Sequence, residues 1–235
     1  MFETNAGILS GYGSYLVLVL PALLFSLWAQ WKVKSTFAKY SKIASERNMT
    51  GAEAARMVLQ AGGVTDVAVE RIPGNLTDHF DAKAKIIRLS DSVFDARTAS
   101  AVGVAAHEAG HAVQYAERYF PVTVRSAIIP VTNIGSRLAA PLVILGLALS
   151  FRPLCLIGVL LFGLAVLFQL VTLPVEFNAS RRALRALADN GVSEEGVKAA
   201  KSVLTAAALT YVAGLAVALG NFLRLLSLAR RSGRR

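Results

Sequence analysis

Apolar residues along this chain gather into four long runs, 15–31, 128–149, 154–173 and 203–223, separated by polar segments. Each run approaches or reaches the ~20 residues with which a helix crosses a hydrocarbon core. The spacing predicts four transmembrane helices. The first run has Glu3 rather than basic residues ahead of it, ends in Trp28 and Trp31, and passes straight into Lys32 and Lys34 without a small-residue cleavage site. It therefore reads as an anchor and not as a signal peptide. Only Ser150-Phe151-Arg152-Pro153 separates the second run from the third, so these two form an antiparallel hairpin, with Pro153 opening the return helix. Asn133, Ser136 and Arg137 sit in the first half of the second run. Either they face protein or water, or the helix begins nearer Leu138.

The polar stretch 32–125 carries shorter periods. Thr50-Gly51-Ala52-Glu53 is a capping box opening a helix that stops at Gly62-Gly63, 67–72 alternates as a strand before a turn at Pro73-Gly74-Asn75, and 85–89 is a second strand. A further helix starts near Asp95 to Thr98 and ends before Pro121. If the second strand lies exposed at a sheet edge, it can hold an extended peptide by backbone pairing; otherwise it is buried against its own neighbours. The expected fold is a mainly α membrane protein, about four transmembrane helices with a small α+β domain. Its segments are an N-terminal anchor (1–31), a polar region (32–125), a transmembrane hairpin (126–173), a connector helix (174–202) and a last membrane helix with a basic tail (203–235).

Composition agrees with the pattern. With 54% hydrophobic and 17% charged residues and a mean hydropathy of +0.51, the chain is too apolar for an ordinary soluble domain. Its net charge is +10, and Arg224, Arg230, Arg231, Arg234 and Arg235 are concentrated at the C-terminus, where they would attract acidic lipid headgroups. The bilayer is thus an expected partner, and no specific nucleic acid is. The single cysteine, Cys155, excludes an internal disulfide and is read as a packing residue.

Chemistry enters with His107-Glu108-Ala109-Gly110-His111, which uses two of the three histidines. On a helix the two imidazoles share a face and can reach one metal, with Glu108 beside them to handle a water proton. The alternative is a pair of core histidines hydrogen-bonded to Glu108. A catalytic zinc takes three protein ligands and leaves the fourth position to water. Two residues compete to be the third. Glu176, after Pro174, could complete a His-His-Glu set or merely complement a helix dipole in a first turn. His79, flanked by Asp78 and Asp81 across a turn, could be a ligand, a transition-state donor or a solvated loop residue.

These segments taken together resemble a known family. Leu76-Thr77-Asp78-His79-Phe80-Asp81, Arg88-Leu89-Ser90, the stretch Gly103 through Ala112, Arg125-Ser126-Ala127 and Glu176-Phe177-Asn178-Ala179-Ser180-Arg181-Arg182-Ala183 are similar to the YugP-type neutral zinc metallopeptidases of bacterial membranes. That family looks like a branch of the gluzincins, akin to the membrane heat-shock protease and the CAAX prenyl protease. The resemblance implies a gluzincin-like catalytic domain, one Zn²⁺ per chain, and Glu176 as third ligand with His107 and His111. Many gluzincins carry an aspartate four residues after that glutamate to orient a ligand histidine. Here the position is Ser180, whose neutral hydroxyl polarises an imidazole less.

The expected activity is a membrane-embedded zinc endopeptidase acting on peptide or protein substrates in the bacterial cytoplasmic membrane, its catalytic domain cytoplasmic, Glu108 the general base and His79 or Tyr211 a donor to the oxyanion. The rival is a noncatalytic metal-binding or anionic-lipid-binding membrane scaffold. Glu108 separates the two, since a structural metal needs no base beside it.

Overall fold

The computed structural model describes residues 13–231, so Glu3, Arg234 and Arg235 lie outside the described residues. In chain order the elements are α1 (Leu20–Tyr40), a 3-10 turn (Glu46–Asn48), α2 (Gly51–Ala61), β1 (Ala68–Ile72), β2 (His79–Asp81), β3 (Ile86–Ser90), α3 (Ala99–Ala116), α4 (Phe120–Ala148), α5 (Arg152–Asp189) and α6 (Glu194–Arg231). Four helical stretches are long and apolar enough to cross a membrane: Gly13–Tyr40, Phe120–Ala148, Arg152–Asp189 and Glu194–Arg230. Each outruns its apolar run. α4 starts with Pro121 in its first turn, where the missing N–H costs nothing, so Asn133, Ser136 and Arg137 lie inside it and a start near Leu138 is excluded.

The described chain divides into two compact units. Among the described residues, one comprises 13–29, Val124–Leu173 and 210–231. In it α4 and α5 pack as the expected antiparallel hairpin, with the glycines marking close approach: a Cβ on Gly158 would lie 2.7 Å from the Ala139 carbonyl, and one on Gly146 would lie 2.6 Å from Cys155 Sγ. Cys155 is fully buried there, its thiol directed at the Val143 carbonyl at 3.7 Å.

The other unit comprises Gln30–Thr123 and Pro174–Leu209. Its sheet has the order β1-β3-β2, with β1 parallel to β3 from Ala68↔Ile86 to Ile72↔Ser90 and β2 antiparallel to β3 through His79↔Arg88. This decides between the two readings of 85–89: that strand is the middle one, buried against its own neighbours. The edge beside α3 is β2, in a stretch read from the sequence as a turn. A three-residue strand shows no period to read, and its pairing is set up from outside, where the Asp78 carboxylate takes the Ser90 N–H at 2.7 Å.

The core of this unit lies between the sheet and the helices. Ile87 and Leu89, Val58 and Leu59 of α2, Ala105 and Ala109 of α3, Leu187 of α5 and Leu204 of α6 are all buried in it. Full burial of Ile87 and Leu89 stabilises the fold by about 1.5–3 kcal/mol each. α2 opens with the predicted capping box, Glu53 N–H to Thr50 Oγ1 at 3.1 Å and Thr50 N–H to Glu53 Oε2 at 2.7 Å, a device that contributes about 1 kcal/mol. Thr98 caps α3. Glycines let other helices approach α3 closely: a Cβ on Gly110 would lie 2.5 Å from the Ala179 carbonyl of α5, and one on Gly103 would lie 3.3 Å from Ala200 Cα of α6.

Candidate metal centre

α3 runs unbroken through the histidine pair, so His107 and His111 stand one turn apart on one face, ring centroids 4.6 Å apart and planes at 80°. Against that face α5 brings Glu176. Its Oε2 lies 3.3 Å from His107 Nε2 and 3.3 Å from His111 Nε2. Glu176 is only 2% exposed, and because α5 continues through Pro174 it is a mid-helix residue and no first-turn dipole partner. One potential ligand atom from each of the three residues lies within 4.8 Å of the others, so the group can hold a metal ion. Two imidazole nitrogens and a buried carboxylate oxygen match the donor set of a catalytic zinc. A carboxylate so buried also needs a positive partner.

The outer ring nitrogens are held as well. Ser180 Oγ lies 3.1 Å from His107 Nδ1, and Gln114 Oε1 lies 3.1 Å from His111 Nδ1. Burial pushes the His111 imidazole down, but its hydrogen bond to Glu176 and the charges of Glu176 and Glu108 outweigh it and hold His111 above its ordinary value. Glu108 follows His107 on α3 and is half-buried.

Alternation along β2 decides which of its neighbours faces this site. Phe80 meets the Tyr115 ring of α3 edge-on at 6.0 Å, so Asp78, two residues earlier, lies on the same side. Burial raises the Asp78 carboxyl above its usual range, the Glu108 charge adds to the rise, and the bonds from the Ser90 N–H and hydroxyl oppose it. His79 and Asp81 take the opposite side. His79 is exposed, Nδ1 2.9 Å from the Thr77 carbonyl and Nε2 3.5 Å from Arg88 Nη1, while Asp81 pairs with Arg88 at 2.8 Å. His79 is thus not brought into the group formed by His107, His111 and Glu176. Tyr211 is half-buried on α6, in the segment that belongs to the apolar unit.

Sequence reasoning missed Asp78 and Gln114. Asp78 carried no signal that could have found it, because it precedes a strand too short to show a period. For Gln114 the signal was the i,i+3 spacing from His111.

The chain matches, over residues 15–230, the family described as "putative neutral zinc metallopeptidase". It is 46% identical over 214 residues to the "putative membrane protease YugP" of Bacillus subtilis strain 168, a match spanning 89% of this chain and 94% of that relative. No solved structure matches it. With four helices apt to cross a membrane and a buried His-His-Glu group able to hold a metal, the chain is a membrane protein that belongs to this neutral zinc metallopeptidase family.

Proposed function

We propose that the chain is a zinc endopeptidase of the bacterial cytoplasmic membrane, with His107, His111 and Glu176 as zinc ligands and Glu108 as general base. The observation that carries this reading is the convergence of both Nε2 atoms on one Glu176 oxygen, each at 3.3 Å, with a carboxylate that is not part of the triad next along the same helix. Bound there, zinc supplies a water acidified to a pKa of about 7 and an electrophile for the scissile carbonyl. Glu108 takes the water proton and delivers it to the leaving amine. Ser180 steadies His107 through Nδ1. An extended substrate pairs its backbone with β2, the sheet edge packed on α3, which demands no particular side chains and suits peptides and proteins alike. His79 and Tyr211 are the candidates for oxyanion donor; His79 serves only after giving up its bonds to Thr77 and Arg88.

Lys32, Lys34, Lys39 and Lys42 follow the first apolar run, 15–31, and Arg181, Arg182 and Arg185 follow the apolar part of α5, which by the positive-inside rule favours a cytoplasmic site. In a Cys155→Ala background, cysteine labels near Ser41 are expected to be protected in intact cells and labels near Ser232 accessible. Labelling near Ser41 would reverse the orientation.

Glu108→Gln tests the chemistry. Its amide cannot take a proton as the carboxylate does, so the variant is expected to keep its fold and one zinc but lose peptide hydrolysis. Wild-type turnover in that variant contradicts the assignment.

A further inference from the structure

The two ligand histidines are held from behind in different ways. His107 Nδ1 meets the Ser180 hydroxyl at 3.1 Å, a rotor that can give or accept a proton. His111 Nδ1 meets one end of the Gln114 side chain at 3.1 Å, and Gln114 is completely buried. The rest of the network fixes which end. Arg182 Nε, which can only donate, lies 2.7 Å from Asn178 Oδ1. That assigns Asn178 Oδ1 as an acceptor. Gln114 is 2.8 Å from this oxygen and 2.8 Å from the Val175 carbonyl, a second obligate acceptor. Its amide NH₂ has two protons and two acceptors to satisfy, so the NH₂ faces α5 and the carbonyl oxygen faces His111. His111 must then carry its proton on Nδ1, which leaves Nε2 bare toward Glu176. The anchor of the network is itself fixed: Arg182 is paired with Glu117 at 2.7 Å and its guanidinium lies 5.7 Å from the centre of the Tyr119 ring.

We propose that Gln114 is a positioning residue that relays the donor orientation of Arg182, through Asn178, to lock His111 in the Nδ1-protonated tautomer and present only Nε2 to the metal. The same carboxamide ties α3 to the turn of α5 carrying Glu176, so one side chain sets the second ligand's tautomer and the third ligand's distance. This inference rests on the zinc reading above. It distinguishes His111, locked through three side chains, from His107, held by one hydroxyl.

The test uses full-length protein in detergent micelles, with zinc affinity read by competition against a chromophoric chelator. In parallel, the imidazole nitrogen resonances of labelled histidine are recorded on zinc-loaded protein, where His79, His107 and His111 are the only three to assign. Wild type is expected to take up one zinc and to show His111 protonated at Nδ1 with a slowly exchanging proton. Gln114→Met is expected to bind zinc about 10–100-fold more weakly, with that slow exchange lost, and Ser180→Ala to lose less affinity. Arg182→Met, at the partly exposed end of the relay and touching no ligand, provides the reading if Gln114→Met does not fold. It is expected to weaken zinc binding in the same direction by a smaller factor, with partial recovery in Arg182→Lys. Zinc-binding wild type alongside unchanged affinity and unchanged His111 resonances in Gln114→Met and Arg182→Met refutes the relay alone. A wild type that takes up no zinc removes the metal reading and the relay with it.

Discussion

α3 and the first span, Gly13–Tyr40, are both predominantly apolar helices, yet they bury their surfaces in different media. In the first span only 11% of the most apolar window is buried within the protein, and Leu16, Val17, Leu24, Leu27, Trp28 and Trp31 stand exposed. In α3 the residues Ala101, Ala105, Ala106 and Ala109 have no exposed surface at all. Hydropathy marks only the first span as able to cross a membrane, and side-chain size divides the two helices in the same sense: large apolar groups face outward where lipid tails cover them, whereas alanine and glycine let backbones close in and hold a polar ligand set inside protein.

If that distinction is right, truncation should be costly on one side and nearly silent on the other. Leu89→Ala, beneath α3, is expected to destabilise the protein by about 2–5 kcal/mol, while Leu24→Ala in the first span stays within about 0.5 kcal/mol, both read from unfolding in detergent micelles. Equal costs would break the comparison. A subtler version uses glycines. Gly110→Ala puts a Cβ 2.5 Å from the Ala179 carbonyl, where backbone must move, for a loss of about 1–3 kcal/mol together with weaker metal binding. Gly13→Ala meets no atom within 4 Å and is expected to leave stability unchanged or slightly raised. An unperturbed Gly110→Ala would mean that the α3–α5 approach is looser than described.

Acidity sharpens the same contrast at the buried site. His111 sits above its ordinary 6.5 in the metal-free protein. Its contribution to metal-free stability is therefore present in full below pH 6.5 and lost as pH rises through the raised folded value. Zinc needs the neutral ring, so zinc affinity should climb with pH and level off only above that value. A flat affinity from about pH 6 to about pH 8, read by chelator competition, contradicts this. The smallest effect is expected at the exposed face of the sheet. Asp81, lowered from 3.8 to about 2 by the Ala84 N–H and the Arg88 guanidinium, contributes stability that is present above 3.8 and lost as pH falls toward about 2, and Asp81→Asn should remove that acid slope.

Legibility followed the range of the interaction. The four spans, the Thr50–Glu53 box and the metal-binding helix were readable because each is encoded within one or two turns of chain. Residue chemistry alone did not rank Glu176 above His79, since the convergence depends on where α5 meets α3, and that is a tertiary fact. Resemblance supplied the choice, and the geometry agrees with it: His79 faces Arg88 while Glu176 faces both imidazoles. β2 and the middle position of β3 were unreadable for a related reason, because strand order is set by partners and not by the pattern within a strand. Gln114 looked like an ordinary helix residue until Val175 and Asn178 were placed beside it.

The central claim is that a buried metal is held by two residues of α3 and one of α5. Metal content and affinity of purified wild type, Glu176→Ala and His79→Ala test it most directly. The account predicts one zinc per chain in wild type, a severe loss of affinity in Glu176→Ala, and wild-type affinity in His79→Ala. Full zinc occupancy in Glu176→Ala together with loss of the metal in His79→Ala would contradict it.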